Sequence, residues 1–171
     1  SGAGKGRTQK TARRFVGRTD FDTPPGSGEG LVKLFVRRPT GDELAADDDI
    51  GHAAQVQIYD FGGGDRFVMK RRNVVVDCAE VDTLTALSGR GGGTLSPILR
   101  QAFCGETLGF SYADDAKRLL VPEHWYRLTM LIGVQPARSG VLLDDADGGT
   151  PQRILWLPIV DPRIRRAGRP T

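Results

Sequence analysis

The run Asn-Val-Val-Val-Asp at residues 73–77 constrains this chain more than any other segment. Three consecutive β-branched residues restrict χ1 and favour strand. An apolar run without alternation must be covered on both faces, as in the centre of a parallel sheet. Two further apolar runs, 126–134 (YRLTMLIGV) and 153–158 (RILWLP), predict companion buried strands. Helical spacing lies between them. Val81, Leu84 and Leu87 share a face within 80–88, and Leu95, Ile98, Leu99 and Ala102 share one within 94–103, with Thr94 as N-cap. Strands separated by helices imply an α/β three-layer fold with a mainly parallel sheet, runs 73–77 and 126–134 adjacent and central.

The rest of the chain is organised by glycine, proline and charge. Residues 4–17 can form a helix with Ala12, Phe15 and Val16 on one face. Residues 21–30 are Pro/Gly-rich and read as loop, and 31–38 fit either a strand or a short helix. Residues 40–52 carry five acids and read as a mobile acidic insertion. Runs 55–59 and 66–70 flank Gly62-Gly63-Gly64 as a hairpin. The 171 residues, 39% apolar and 26% charged, fit one soluble domain over 1–160 and a basic flexible tail over 161–171. Cys78 and Cys104 sit in apolar contexts, which predicts buried free thiols in a reducing cytoplasm. No run approaches the roughly 18 apolar residues of a membrane span, so no membrane role is expected.

Three groups of residues carry candidate chemistry. Ser1-Gly2-Ala3-Gly4-Lys5-Gly6-Arg7-Thr8 supplies most of a phosphate-binding loop. Glycine N–H groups turn toward phosphate and a Lys reaches the outer oxygens. The usual leading glycine and the strand before it would precede Ser1. Gly6 stands where a hydroxyl would hold Mg²⁺, leaving Thr8 as the nearest. A Gly/Lys-rich linker is the plain alternative. In the second group, run 73–77 ends in Asp77 and is followed by Glu80. A buried strand delivers its last acids to the sheet's carboxyl edge, where Asp77 suits a metal-side acid and Glu80 a base for water, with Asp82 in reserve. Acids in the first turn of a helix are the plain reading. Gln135 at the tip of run 126–134 fits a γ-phosphate sensor or a surface turn. Arg153, after the loop Gly148-Gly149-Thr150-Pro151-Gln152, fits an arginine finger or an ion-pair partner of Asp144 or Asp145.

The third group is basic. Lys and Arg cluster at both ends, from Lys5 to Arg18 and from Arg163 to Arg169, and the sequence pI is about 9.1. Arg90, before Gly91-Gly92-Gly93, suits a loop that tracks DNA through phosphate contacts. Arg100 and the run Lys70-Arg71-Arg72 are further candidates for the same role. Such contacts predict binding that is indifferent to sequence and sensitive to salt.

In one order along the chain stand SGAGKG, GSGEGL, VVVDCAEVDTL, SGRGGGTLSPILRQAFCGETLGF, YRLTMLIGVQP and LLDDADGGTPQRILWLP. Together they resemble the ATPase, helicase-like portion of actinobacterial primase-polymerase and replication proteins of phages, plasmids and integrative elements. The resemblance covers most of 1–160 and is most specific over 133–153. It implies a P-loop NTPase core of RecA-like or AAA+-like type, begun inside the P-loop with its first strand missing. It implies ATP and Mg²⁺, DNA as partner and a homo-oligomeric ring. By position, Lys5 with Gly2, Gly4, Gly6 and Thr8 would bind nucleotide, Thr8 and Asp77 metal, Glu80 would activate water, Gln135 would sense and Arg153 would act as finger. Two functions follow: an ATP-hydrolysing, DNA-associated motor module, or a non-catalytic nucleic-acid-binding or assembly module whose P-loop is degenerate.

Overall fold

A computed structural model describes residues 22–47, 56–61, 65–88, 93–110, 112 and 118–158. Its centre is β5 (Asn73–Cys78), paired in parallel with β1 (Asp22–Thr23) on one side and with β8 (Arg127–Ile132) on the other. The β5–β8 register runs unbroken from Asn73↔Arg127 to Cys78↔Ile132. Strand 73–77 is thus central and parallel, as its β-branched composition demands.

The sequence after β1 contains the first correction. Residues 21–30 are not all loop: β1 precedes Pro24-Pro25, and α1 (Gly28–Phe35) begins inside the glycine-rich stretch. Ser27 caps α1, its hydroxyl accepting from the Gly30 amide at 3.1 Å, and Leu31, Val32 and Phe35 face inward. The segment 31–38 is therefore helix to Phe35, followed by β2 (Val36–Arg37). A Cβ on residue 28 would lie 2.5 Å from the Thr94 carbonyl oxygen, so only glycine allows α1 to approach that backbone.

Residues 41–47 of the expected acidic insertion form a helix, α2 (Gly41–Asp47). A reciprocal cap starts it: the Glu43 amide donates to Thr40 Oγ1 and the Thr40 amide to Glu43 Oε2. Arg37 then grips Glu43 with two 2.7 Å bonds. Beyond α2, β3 (Ile58–Asp60) and β4 (Arg66–Met69) form the expected hairpin and add to β2 in the order β2-β4-β3.

α3 (Val81–Ser88) and α4 (Leu95–Cys104) follow β5. Thr94 stands at the N-cap of α4 in helical conformation, and its side chain makes no capping bond, contrary to expectation. Gly105 ends α4 at φ 76°, with its amide reaching Ala102 and the Glu106 amide reaching Gln101. Cys104, on the last turn, is exposed, whereas Cys78 on β5 is buried. β6 (Leu108–Phe110) and β7 (Leu119–Val121) pair antiparallel. Asp65 lies between Arg118, at 3.0 Å, and Arg38, at 3.8 Å, joining the β2-β4-β3 sheet to the start of β7.

The core lies on one face of β5. Val74 and Val76 pack with Leu31, Phe35, Ile98 and Tyr126, and Cys78 packs with Val81, Leu84, Leu95 and Leu142. Burial of this row is worth on the order of 1.5–3 kcal/mol per large apolar side chain. The opposite face differs from expectation. Arg127, Thr129 and Leu131 of β8 are exposed, Leu131 by 51%, and Val75 and Asp77 of β5 are half-buried. Run 126–134 therefore alternates instead of being buried throughout. Among the described residues β8 is also an edge strand, because its only partner is β5. The described residues give a mixed α/β fold with helices on the Val74–Cys78 row.

Run 153–158 is not a described strand. A 3-10 turn (Pro151–Arg153) leads into a stretch outside any strand in which Leu155, Trp156 and Leu157 are exposed. Among the described residues no strand pairs with this stretch, and apolar composition alone does not make one.

Two outcomes test this packing. Gly28→Ala raises helix propensity but forces a clash with Thr94, so stability should fall by about 1–3 kcal/mol; an unchanged urea midpoint would show that α4 yields freely. The Arg37 fork and the Thr40 amide hold the Glu43 carboxyl at about 2, well below the ordinary carboxylate range. A depressed value stabilises above the ordinary pKa and the benefit is lost as pH falls toward 2. The order of α2 should be constant near neutrality and decline on acidification below the ordinary range, and Glu43→Gln should abolish that dependence in amide-exchange measurements.

Candidate functional site

Both strands of the central pair end at one level, and the loops beyond them are fastened to each other. Gly133 N–H donates to Cys78 O at 2.8 Å, extending the ladder past β8. The chain after β5 turns within two residues, and Val81 N–H donates back to Gly133 O at 3.0 Å. The Cys78 thiol donates to Glu80 O at 3.1 Å. Two bonds therefore hold the Ala79-Glu80 connection against residue 133, and the thiol bond closes the turn on itself. Glu80 is exposed at this rim, immediately before α3.

Asp77, one residue from the end of β5, sits opposite Leu131 in the register, on the face away from the main core. Gln135 follows two residues after Gly133. It is exposed and extended (φ −90°, ψ 137°), and its carbonyl accepts from Arg138 N–H in a short 3-10 turn. Thr23 ends β1 opposite Val76. Thr23, Asp77, Glu80 and Gln135 thus stand at the carboxyl ends of the parallel strands or just beyond them, with Thr23 in register with the core row and Asp77 on the opposite face; this edge is where open α/β sheets take ligands. The sequence reading missed Thr23; the signal was Asp-Thr before two prolines, since a residue before proline favours extended backbone. Among the described residues no group of three His, Cys, Asp or Glu is arranged to hold a metal ion. A cation at Asp77 would need ligands from elsewhere. Gly2, Gly4, Lys5, Gly6 and Thr8, the expected phosphate and Mg²⁺ ligands, lie outside the described residues, as does Arg90.

Arg153 is engaged within its own chain. Its Nη1 donates to Gly148 O at 2.9 Å, and its guanidinium lies 5.5 Å from the Phe103 ring centroid at the end of α4. Gly149 turns the loop at φ 73°. Asp145 is held by Arg100, at 3.2 Å, and accepts from the Thr150 hydroxyl at 2.5 Å. Two arginines therefore fold loop 145–153 onto α4. Arg100, expected at nucleic acid, has an acid partner here, and Arg153 binds a backbone carbonyl instead of Asp144 or Asp145.

The Lys70-Arg71-Arg72 segment lies at the other end of β5. It crosses from β4 to β5 with its backbone fixed at both ends. Lys70 and Arg71 amides donate to Phe35 O, and Arg72 O accepts from Arg127 N–H at 2.7 Å. Lys70 Nζ donates to Lys33 O at 2.9 Å, and Arg72 stacks 5.1 Å from the Trp125 centroid. The three cations, with Gln57, Tyr59 and Met69, line a groove of about 430 Å³. Tyr59 is braced edge-on by Trp125 at 4.9 Å and stacked on Phe67 at 5.5 Å. Arg127, which the sequence reading missed, opens β8 beside Arg72; its signal was a cation at the start of an apolar run.

Replacing Arg153 by Ala removes one hydrogen bond and one cation–π contact, so stability should fall by about 1–2 kcal/mol. Chemical denaturation checks this. An unchanged midpoint would mean that the Gly148 contact carries no net energy.

No family model, no curated protein and no solved structure matches this chain.

Proposed function

We propose that this chain is an ATP-hydrolysing, DNA-associated module, helicase-like and belonging to a mobile-element replication protein. The observation that carries the reading is the fastened carboxyl edge, where bonds among Cys78, Val81 and Gly133 set Glu80 and Gln135 on adjacent loops at the end of β5 that carries Asp77. In this reading Glu80 takes a proton from the attacking water, Asp77 faces the metal side and Gln135 contacts the outer phosphate. Gly2, Gly4, Lys5 and Gly6 cradle phosphate through backbone N–H groups and one ammonium, and Thr8 offers its hydroxyl to Mg²⁺. ATP with Mg²⁺ supplies the reacting phosphoryl group. Arg153, presented at a protomer edge of a ring, completes a neighbouring site once released from Gly148.

Phosphate release by the wild-type chain and by Glu80→Gln and Lys5→Ala variants tests the reading. Each variant should lower turnover by about 10²-fold or more while melting like wild type. Undiminished turnover in Glu80→Gln would move the catalytic acid to Asp77 or Asp82. No turnover in the wild type would leave the second reading, a nucleic-acid-binding module without hydrolysis, which the basic groove at Lys70–Arg72 favours.

A further inference from the structure

We propose that the groove at the amino end of β5 is a binding site for single-stranded nucleic acid, separate from the carboxyl edge. The inference rests on nucleic acid being a partner of this chain, but not on hydrolysis. Four features carry it. The charge is concentrated: Lys70, Arg71 and Arg72 are consecutive, and among the described residues that line the groove there is no acid. The backbone is preorganised by Phe35 O on one side and Arg127 N–H on the other, so the cations are presented without ordering a loop. One wall is aromatic, with Tyr59 half-buried and locked against Trp125 and Phe67. Gln57, exposed at the rim, adds an amide that pairs with any base edge, and at present it accepts from the Tyr59 hydroxyl at 2.7 Å.

A cationic track beside an aromatic wall is the chemistry of single-strand binding: phosphates meet Lys and Arg, and an unstacked base lies against a ring. Duplex DNA fits poorly, because its bases are already stacked and its backbone is convex, whereas this site is a concavity among the described residues. An acidic peptide would satisfy the cations but leave the aromatic wall unused. The site lies on the order of 20 Å from Glu80, given a strand rise of about 3.3 Å per residue over the six residues of β5. Occupation of one end therefore leaves the other open.

The test is fluorescence anisotropy of a labelled thymidine oligonucleotide with the whole chain, without nucleotide and over a range of salt. The comparison is Lys70→Gln/Arg71→Gln, which keeps long side chains and removes two charges; a thermal melt confirms folding. Removing two phosphate contacts should reduce the slope of log K against log salt by about 1.4, at about 0.7 per contact for single strands. Binding should weaken at least tenfold at low salt. Tyr59→Leu should weaken binding without changing the slope. The proposal is overturned if the folded double variant keeps the wild-type slope, if a duplex of equal length binds more tightly than the single strand, or if polyglutamate displaces the oligonucleotide at equal charge concentration. Should Lys70→Gln/Arg71→Gln fail to fold, Lys70→Gln alone is read in the same way, with an expected slope change of about 0.7. Since no nucleotide is present, a failure here is distinct from a failure of the hydrolysis reading.

Discussion

The parallel pairing of β5 with β8 is the constraint on which the other features depend. Six consecutive register pairs fix both strands in direction and level. Once they end together, Gly133 can bond Cys78 and Val81 can bond Gly133. Once they begin together, Arg127 N–H can meet Arg72 O. The row Val74, Val76 and Cys78 holds the pair against α1, α3 and α4. A slip of one residue would turn that row outward and bring Val75 and Asp77 inward, burying a carboxylate in an apolar core. The penalty for such a slip is why the level of the two loops is well determined.

The strongest elements were legible from sequence because their residues admit few alternatives. Val74-Val75-Val76 fits little but a covered strand, and Leu95, Ile98 and Leu99 fit little but one helix face. The errors arose where a local signal had more than one physical cause. Glycines at 26, 28 and 30 suggested loop; Gly28 instead serves the approach of α1 to Thr94, and Ser27 before Leu31 was the cap signal that competed with them. Acids at 42 and 43 suggested a solvated insertion; Glu43 is the return half of a helix cap gripped by Arg37. Runs 126–134 and 153–158 were read as buried from hydropathy alone. Burial also needs a partner on each face and each edge, and that depends on distant chain.

The same distinction holds for the candidate site. Asp77, Glu80 and Gln135 share an edge because strand order and register place them there. The role of Arg153 was less legible. An arginine after a glycine loop suits both an intersubunit contact and a local brace, and here the Gly148 carbonyl and the Phe103 ring take it up. The cost of freeing it, a hydrogen bond and a ring contact, is on the order of 1–2 kcal/mol, small enough for a protomer interface to supply.

The two ends of β5 also differ in sign, and this has a consequence for how anions would sort between them. Lys70, Arg71, Arg72 and Arg127 stand at the amino end, and Asp77 and Glu80 at the carboxyl end. A bare phosphate backbone is attracted to the first and repelled by the second. A nucleotide carrying Mg²⁺ has part of its charge neutralised and brings a cation that carboxylates favour, so it tolerates the acidic edge. In the proposed reading, nucleic acid and nucleotide therefore need not compete for one surface although both are polyphosphates. At physiological salt a separation near 20 Å exceeds the Debye length of about 8 Å, so the two ends are screened from each other. Each end is then governed by its own local charges, and the rigid strand between them, fastened at Phe35 and Arg127 on one side and at Gly133 on the other, sets their relative position.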